Sequence, residues 1–189
     1  MYKTLKEVTQ TATQLNMTIG AFNTHNLEMM PEMIRAAKEL GVPIIIQTSI
    51  ATAKYIGYKV MVTVAKEMAE DEMVDVCLHL DHAKDFDEIK AAIDAGFSSV
   101  MFDGSALPFK ENIAKTKMVV AYAHAHGASV EGELGTIGGT EEGICVSEDD
   151  KKYTRPQDAA IFVKETNVDA LAIAIGTNHG QYQSKTEVN

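Results

Sequence analysis

VCLHLDH, Val76–His82, is a short apolar run that ends in side chains able to carry out chemistry. Five other runs are similar to it, and longer segments of helical period separate the runs from one another. The stretches Val42–Ile46 and Leu171–Ile175 are apolar on both alternating faces, which is typical of a parallel strand buried on both sides. We therefore predict six strands, at Ile19–Asn23, Val42–Thr48, Val76–Asp81, Ser98–Asp103, Ala128–Glu133 and Ala170–Gly176.

The segments between these strands have the spacing of helices. Apolar residues recur every three or four positions in Leu27–Leu40, and Gly41 follows as a stop signal. Asp85 and Glu88 form a capping-box pattern at the start of another helix, which Gly96 ends. Further helices fit Ala53–Ala69, Phe109–His126 and Pro156–Thr166. This β-α order, repeated about six times, predicts a parallel sheet with helices outside it.

Polar residues at the strand ends bear on how such a sheet closes. It is either an open doubly wound sheet or a (β/α)8 barrel, in which all the strand ends converge on one mouth where the active site lies. Convergence favours the barrel, although barrels usually have about 250 residues. We expect an α/β TIM barrel with about six of its eight units, forming a single incomplete domain over residues 1–189. The polar residues are Asn23, Thr48, Ser49, Asp81, His82, Asp103, Glu131, Glu133, Asn178 and His179.

The composition excludes several classes of protein. The chain is 46% hydrophobic and 23% charged, as globular proteins are, and no apolar run approaches the roughly 18 residues of a membrane helix. Its net charge of −10 argues against binding to nucleic acid or to an anionic membrane surface. Cys77 and Cys145 lie far apart, and the N-terminus has no apolar signal region. We expect two free thiols and a cytoplasmic protein.

Carboxylates and imidazoles at the strand ends are candidate metal ligands. Glu131 and Glu133 share one face, and a buried carboxylate is costly unless a cation accompanies it. That cation is an interior Lys or Arg or a metal ion, and because no basic partner is obvious we favour the metal. Asp81 and His82 are either a proton-transfer carboxylate beside a metal ligand or two polar residues whose hydrogen bonds are satisfied at a strand end. His179 is a second candidate imidazole.

Of two other segments, one has two possible interpretations and the other has a structural one. The Gly-rich stretch at residues 136–143 is either a segment that moves over a site or a plain surface loop, and composition alone favours the loop. His124 and His126 lie in a helix that ends at Gly127, where positive charge suits the helix dipole. We interpret both histidines as structural.

Five motifs in order carry a resemblance to a known family, and the match runs from about residue 5 to the end of the chain. Together they resemble the class II, metal-dependent ketose-bisphosphate aldolases, and the closest likeness is to the fructose- and tagatose-bisphosphate aldolases. The motifs are Ala21–Asn26, His79–His82, Met101–Ser105, Glu131–Gly135 with Gly138 and Gly139, and Gly176–Gly180.

The resemblance implies a TIM barrel and a catalytic zinc. On that pattern His82 and His179 are zinc ligands, while Asp103 and Glu133 line an alternative or second cation site. Asp81 is then the acid/base on the hydroxyl at the cleaved bond. Zinc would act as a Lewis acid for the carbanion that the cleavage leaves, and three protein ligands would leave room for the substrate.

The resemblance also implies residues around the substrate. Glu141 matches a carboxylate that moves the proton of the enediolate. Asn23, Ser49 and Gly180 match substrate-binding positions, the last two near the dihydroxyacetone phosphate moiety. The backbone around Asn178 and Gly180 matches a region where some members bind a monovalent cation, Na⁺ or K⁺.

The implied activity is zinc-dependent, reversible aldol cleavage of a ketose 1,6-bisphosphate to dihydroxyacetone phosphate and glyceraldehyde 3-phosphate. A Schiff-base mechanism needs a desolvated lysine inside the barrel, and no predicted strand carries one at an interior position. The sequence leaves fructose and tagatose bisphosphate both open. A metal-dependent sugar-phosphate isomerase is a weaker alternative. We expect a homo-oligomer, as is common in the family.

The chain departs from the family pattern at its C-terminal side. A third zinc-binding histidine and a Gly-Gly-Ser-Gly phosphate loop are expected beyond Asn189, so the sequence is interpreted as C-terminally truncated. Three explanations stay open: an incomplete record of a full enzyme, a natural truncation, or completion of the barrel by another chain. The alternative function is therefore a non-catalytic remnant that binds metal or sugar phosphate only.

Overall fold

A computed structural model of the protein describes residues 1–141, 144–146 and 153–179. The helices are α1 Leu5–Gln14, α2 Met29–Leu40, α3 Ile50–Ile56, α4 Tyr58–Asp71, α5 Phe86–Ala95, α6 Phe109–Ala125 and α7 Pro156–Thr166. The strands are β1 Ala21–Asn23, β2 Ile44–Thr48, β3 Val76–Ala83, β4 Ser99–Phe102, β5 Ser129–Leu134, β6 Gly138–Glu141, β7 Ile144–Val146, β8 Ala170–Ile173 and β9 Asn178–His179. None of the described helices has both the length and the apolarity to cross a membrane.

Six strands form the wall of a partial barrel. Their order is β1-β2-β3-β4-β5-β8, and every neighbouring pair is parallel. A doubly wound sheet reverses its strand order at a switch point, whereas here spatial order follows chain order throughout. The expected fold, an incomplete TIM barrel with about six β-α units, is therefore confirmed as a half-barrel.

The alternation of side chains along the strands divides the core into two parts. Leu78 and Leu80 of β3 point outward and belong to the large cluster that the helices cover. Cys77 points inward and joins Leu5 and Val8 of α1 in a smaller cluster. Because α1 fills the interior near the beginnings of the strands, the inward positions toward their carboxyl ends are left for polar side chains.

Two helices differ from the sequence prediction. The prediction of a single helix over Ala53–Ala69 is wrong. Gly57 separates α3 from α4, because its φ of +98° is a conformation that L-residues rarely adopt. Helix α1 was not predicted. Its signal is a capping box, in which the Thr4 hydroxyl accepts from the Glu7 amide and the Glu7 carboxylate accepts from the Thr4 amide.

Asp169 joins three elements at the beginning of β8. Its buried carboxylate accepts hydrogen bonds from the Val130 amide at 2.9 Å and from His124 Nε2 at 2.8 Å, and Lys6 Nζ lies 3.3 Å away. Burial opposes ionisation of this carboxyl, but the bonds from Val130 and His124 outweigh it and lower its pKa. These contacts of His124 agree with the structural role inferred for it.

Replacing Asp169 with alanine is expected to lower the free energy of unfolding by about 3 kcal/mol at pH 7, because it removes a buried, hydrogen-bonded charge. A carboxyl whose pKa is lower in the folded than in the unfolded protein stabilises the folded state above the ordinary aspartate pKa of about 4. That contribution is lost as the pH falls through the pKa of the folded state. The difference between wild type and variant should therefore shrink below about pH 4. Urea unfolding at pH 7 and pH 3 measures both quantities.

The matched control is Glu67→Ala, an exposed acidic position on α4, which should change stability by less than about 0.5 kcal/mol. If the Asp169→Ala variant were as stable as the control, the three contacts would contribute nothing to the fold.

Candidate functional site

An irregularity at the end of β3 brings Asp81 and His82 to the same side of the sheet. The pairing of β3 with β4 is regular at His79–Ser99 and Leu80–Val100, then shifts before Ala83 pairs with Phe102. His82 has a φ of +48°, an unfavourable conformation for a residue with a Cβ. Strict alternation would point His82 away from Asp81, whereas here His82 Nε2 lies 4.0 Å from Asp81 Oδ1.

Three potential metal ligands meet at this point, from β3, from the residue after β4 and from β5. His82 Nδ1 lies 3.6 Å from Asp103 Oδ2 and 3.5 Å from Glu133 Oε2. One ligand atom from each of the three residues lies within 4.8 Å of the others. We call His82, Asp103 and Glu133 the His82 cluster. The ring of His179 lies beside it, with its centroid 5.7 Å from that of His82.

The surroundings of Asp103 keep it ionised. Burial opposes its charge, but the adjacent His82 imidazole and the hydrogen bonds from Ser105 outweigh that effect and hold the pKa of Asp103 well below its usual range. Ser105 donates from its amide at 3.1 Å and from its hydroxyl at 2.6 Å, both to Asp103 Oδ1. Lys84 Nζ lies 3.6 Å from Asp103 Oδ2. An imidazole with two carboxylates, one of them buried and one held ionised, is a donor set that fits a divalent cation.

Asp81 is held by side chains from the two preceding strands. Asn23 donates to Asp81 Oδ2 at 3.2 Å, and Gln47 donates to the same oxygen at 2.7 Å. Gln47 also donates to Asn23 Oδ1 at 2.9 Å, so the two amides orient each other. The sequence analysis missed Gln47. Its position on the same face as the inward-pointing Ile45 is the signal that could have found it.

Glu133 is supported from the helix layer. Asn112 of α6 is buried, and its Nδ2 donates to the backbone carbonyl of Glu133 at 2.9 Å. The Thr116 hydroxyl donates to Asn112 Oδ1 at 3.0 Å and fixes the amide's orientation. Asn112 reaches this position because Gly104 has no side chain, since a Cβ there would lie 2.2 Å from Asn112 Oδ1. Asn112 was also missed, although an amide among the buried residues of a helix is a visible signal.

The remaining predicted residues lie at the edge of this arrangement or beyond it. Ser49 follows β2, and its hydroxyl caps α3 by accepting from the Thr52 amide at 3.3 Å, outside the His82 cluster. The backbone of Glu141 lies in β6, while its side chain and the whole of Gly180 are outside the described residues.

The Gly-rich stretch is not a plain loop over its described part. Strands β6 and β7 form an antiparallel hairpin, and β6 pairs in parallel with β9, with Gly139 opposite His179. The strand expected at Ala170–Gly176 ends at Ile173. His179 lies beyond it in β9, which belongs to a separate small sheet formed by β7, β6 and β9.

Comparison with known proteins identifies the family. The family model described as Fructose-bisphosphate aldolase class-II matches residues 3–189. The chain belongs to the class II fructose-bisphosphate aldolase family. It is 46% identical over 187 residues to the fructose-bisphosphate aldolase of Giardia intestinalis, and the match covers 97% of this chain and 56% of the Giardia protein. The chain therefore spans little more than half the length of this curated aldolase.

Solved aldolase structures share the half-barrel. The YdjI aldolase of Escherichia coli K12 aligns with a TM-score of 0.84 and 34% identity, over 100% of this chain and 66% of that one. The fructose-bisphosphate aldolase of Campylobacter jejuni aligns with a TM-score of 0.78 and 26% identity, over 95% of this chain and 60% of that one. The family resemblance inferred from the five motifs is thereby confirmed. Class II aldolases are metal-dependent lyases, and the geometry of the His82 cluster is compatible with a bound metal ion.

Proposed function

We propose that this class II aldolase chain takes part in the reversible, zinc-dependent aldol cleavage of a ketose 1,6-bisphosphate of the fructose or tagatose type. The products are dihydroxyacetone phosphate and glyceraldehyde 3-phosphate. The observation that carries the proposal is the meeting of a three-ligand cluster and an oriented carboxylate, Asp81, at the carboxyl ends of parallel strands. Active sites of TIM barrels lie on that face.

The metal would be held by His82 and His179, with Asp103 and Glu133 as an alternative or additional pair. The buried Glu133 carboxylate and the ionised Asp103 carboxylate supply negative charge within 4 Å of the imidazole, which favours a cation there. A zinc ion at this place would supply Lewis-acid stabilisation of the charge that develops on the ketone fragment.

Asp81 is proposed to take the proton of the hydroxyl at the cleaved bond. As the carbon–carbon bond breaks, that hydroxyl carbon becomes the aldehyde and the electron pair stays with the ketone fragment. Asn23 and Gln47 both donate to Oδ2, which holds the carboxylate plane and directs Oδ1 toward His82. A base with fixed orientation is what proton transfer in a transition state requires.

The other assignments complete the proposal. Glu141 returns a proton to the ketone fragment, while Asn23, Ser49 and Gly180 bind the substrate. A monovalent cation, Na⁺ or K⁺, binds near Asn178 and Gly180. The protein acts in the cytoplasm as a homo-oligomer on a small sugar bisphosphate. The substrate and metal roles are supported by family membership, by the hydrogen bond from Asn23 to Asp81 and by the position of His179 beside the His82 cluster.

The test measures metal binding and cleavage on the same protein. The purified 189-residue chain is titrated with Zn²⁺ by calorimetry and then given fructose or tagatose bisphosphate, with formation of glyceraldehyde 3-phosphate as the readout. We expect stoichiometric zinc binding, and cleavage that EDTA abolishes and added Zn²⁺ restores.

Each outcome distinguishes between the proposals. Stoichiometric zinc binding with no cleavage of either sugar supports the non-catalytic alternative and rejects cleavage by this chain. Cleavage that EDTA leaves unchanged rejects the metal's role. Conversion of the sugar phosphate without release of glyceraldehyde 3-phosphate indicates an isomerase.

A further inference from the structure

His79 is a buried titratable residue that the proposed chemistry does not use. It lies inside the half-barrel with 2% of its surface exposed. Its Nδ1 is hydrogen-bonded to the hydroxyl of Ser99 at 2.8 Å. Its Nε2 lies 3.3 Å from Glu131 Oε2, without the geometry of a hydrogen bond. The imidazole therefore reaches from β3 over β4 toward β5.

The position of His79 in β3 gives this contact a specific consequence. The pairs His79–Ser99 and Leu80–Val100 are the last regular ones before the ladder shifts, and Asp81 and His82 lie within the shifted segment. Backbone pairing with β4 resumes only at Ala83. The side-chain hydrogen bond between His79 and Ser99 thus links β3 to β4 immediately before Asp81 and His82, the two residues on which the site depends.

We propose that His79, held by Ser99 and flanked by Glu131, is a positioning residue that fixes the β3 irregularity and so places Asp81 and His82 for metal and substrate. Strand β5 has a similar arrangement: Glu131, which lies beside His79, precedes Glu133 by two positions on the inward face. A bulge that holds a residue at positive φ stores strain, and it persists only where surrounding contacts over-determine it. The His79–Ser99 bond is such a contact.

The neighbouring Ser98 provides a matched control. Its hydroxyl is also buried and also contacts β3, accepting from the Leu78 amide at 3.0 Å. Within the described residues its hydrogen bonds to β3 run to Leu78 and Cys77 rather than to His79, so it bonds to β3 before the regular pairs end. Ser98→Ala and Ser99→Ala therefore remove the same group at similar depth, and only the second removes the bond to His79.

The experiment compares these two variants in two measurements. Hydrogen–deuterium exchange of the amides in Leu80–Ala83, without metal, should rise about tenfold in Ser99→Ala and stay near wild type in Ser98→Ala. Zn²⁺ affinity should fall about tenfold or more in Ser99→Ala, the range for changes behind a metal ligand, and stay unchanged in Ser98→Ala. The absorption spectrum of bound Co²⁺ should change in Ser99→Ala alone. His79→Asn, which keeps a polar atom near Nδ1, should bind metal more tightly than His79→Leu.

The outcomes separate this inference from the proposed function, on whose metal site it rests. If wild type binds no Zn²⁺ but exchange in Leu80–Ala83 rises only in Ser99→Ala, the metal proposal fails and the positioning role stands. If Ser99→Ala matches wild type in exchange and affinity, the positioning role is rejected. Equal effects of Ser98→Ala and Ser99→Ala also reject it, because they would reflect general loss of stability.

Discussion

Replacing Asp81 with alanine is expected to lower aldol cleavage by about 10²–10⁴-fold, the usual contribution of a positioned acid/base group, while zinc binding stays stoichiometric. The reason is structural: Asp81 is oriented by Asn23 and Gln47, whereas the potential metal ligands converge on the far side of His82. Steady-state cleavage and zinc titration on the same preparation measure the two effects.

The control for this variant is Asp158→Ala, which removes an aspartate that pairs with Arg155 on the surface of α7. It should leave both cleavage and zinc affinity unchanged. If Asp81→Ala lost zinc together with activity, Asp81 would be a metal ligand and its assignment to proton transfer would be wrong.

Replacing His82 with alanine is expected to abolish metal binding at micromolar concentrations. The His82 imidazole faces both Asp103 and Glu133, at 3.6 Å and 3.5 Å. Changes behind a ligand weaken metal binding by about 10–100-fold, so removal of the ligand itself should exceed 100-fold. Zinc calorimetry gives the affinity, and cleavage should fall with it.

His126→Ala is the comparison, because His126 stacks on Tyr122 at the end of α6, away from the candidate metal cluster of the described residues. It should bind zinc as wild type does. Retention of wild-type affinity by His82→Ala would place the metal elsewhere and would remove the His82 cluster from the proposed mechanism.

Several features of the site could be predicted from the sequence because they depend on local patterns. Alternation of apolar runs and helical segments predicted a parallel sheet, and the polar strand ends favoured a barrel with about six of its eight units. The ends of those runs identified Asp81, His82, Asp103 and Glu133 as candidates before any contact was known, and the ordered motifs indicated the family. Polar groups at the ends of buried strands are unusual enough to be visible in one dimension.

Other features depended on contacts between distant parts of the chain. Asn23 and Gln47 bond to Asp81 across 58 and 34 residues, and Asn112 bonds to the Glu133 carbonyl across 21. No local pattern states which of many amides will meet which carboxylate. The basic neighbour of Glu131 was also invisible, since His79 lies on another strand and is not a Lys or Arg.

The sequence by itself thus determined the class of fold, the family and the face of the sheet on which chemistry is expected. Tertiary structure decided how His82 joins that face. Period-two alternation assigns it to the opposite side from Asp81, and only the shifted pairing of β3 with β4, with His82 at a positive φ, reverses it. Alternation depends on the pleat of a single strand, whereas a bulge is stable only when neighbouring strands and side chains compensate its strain.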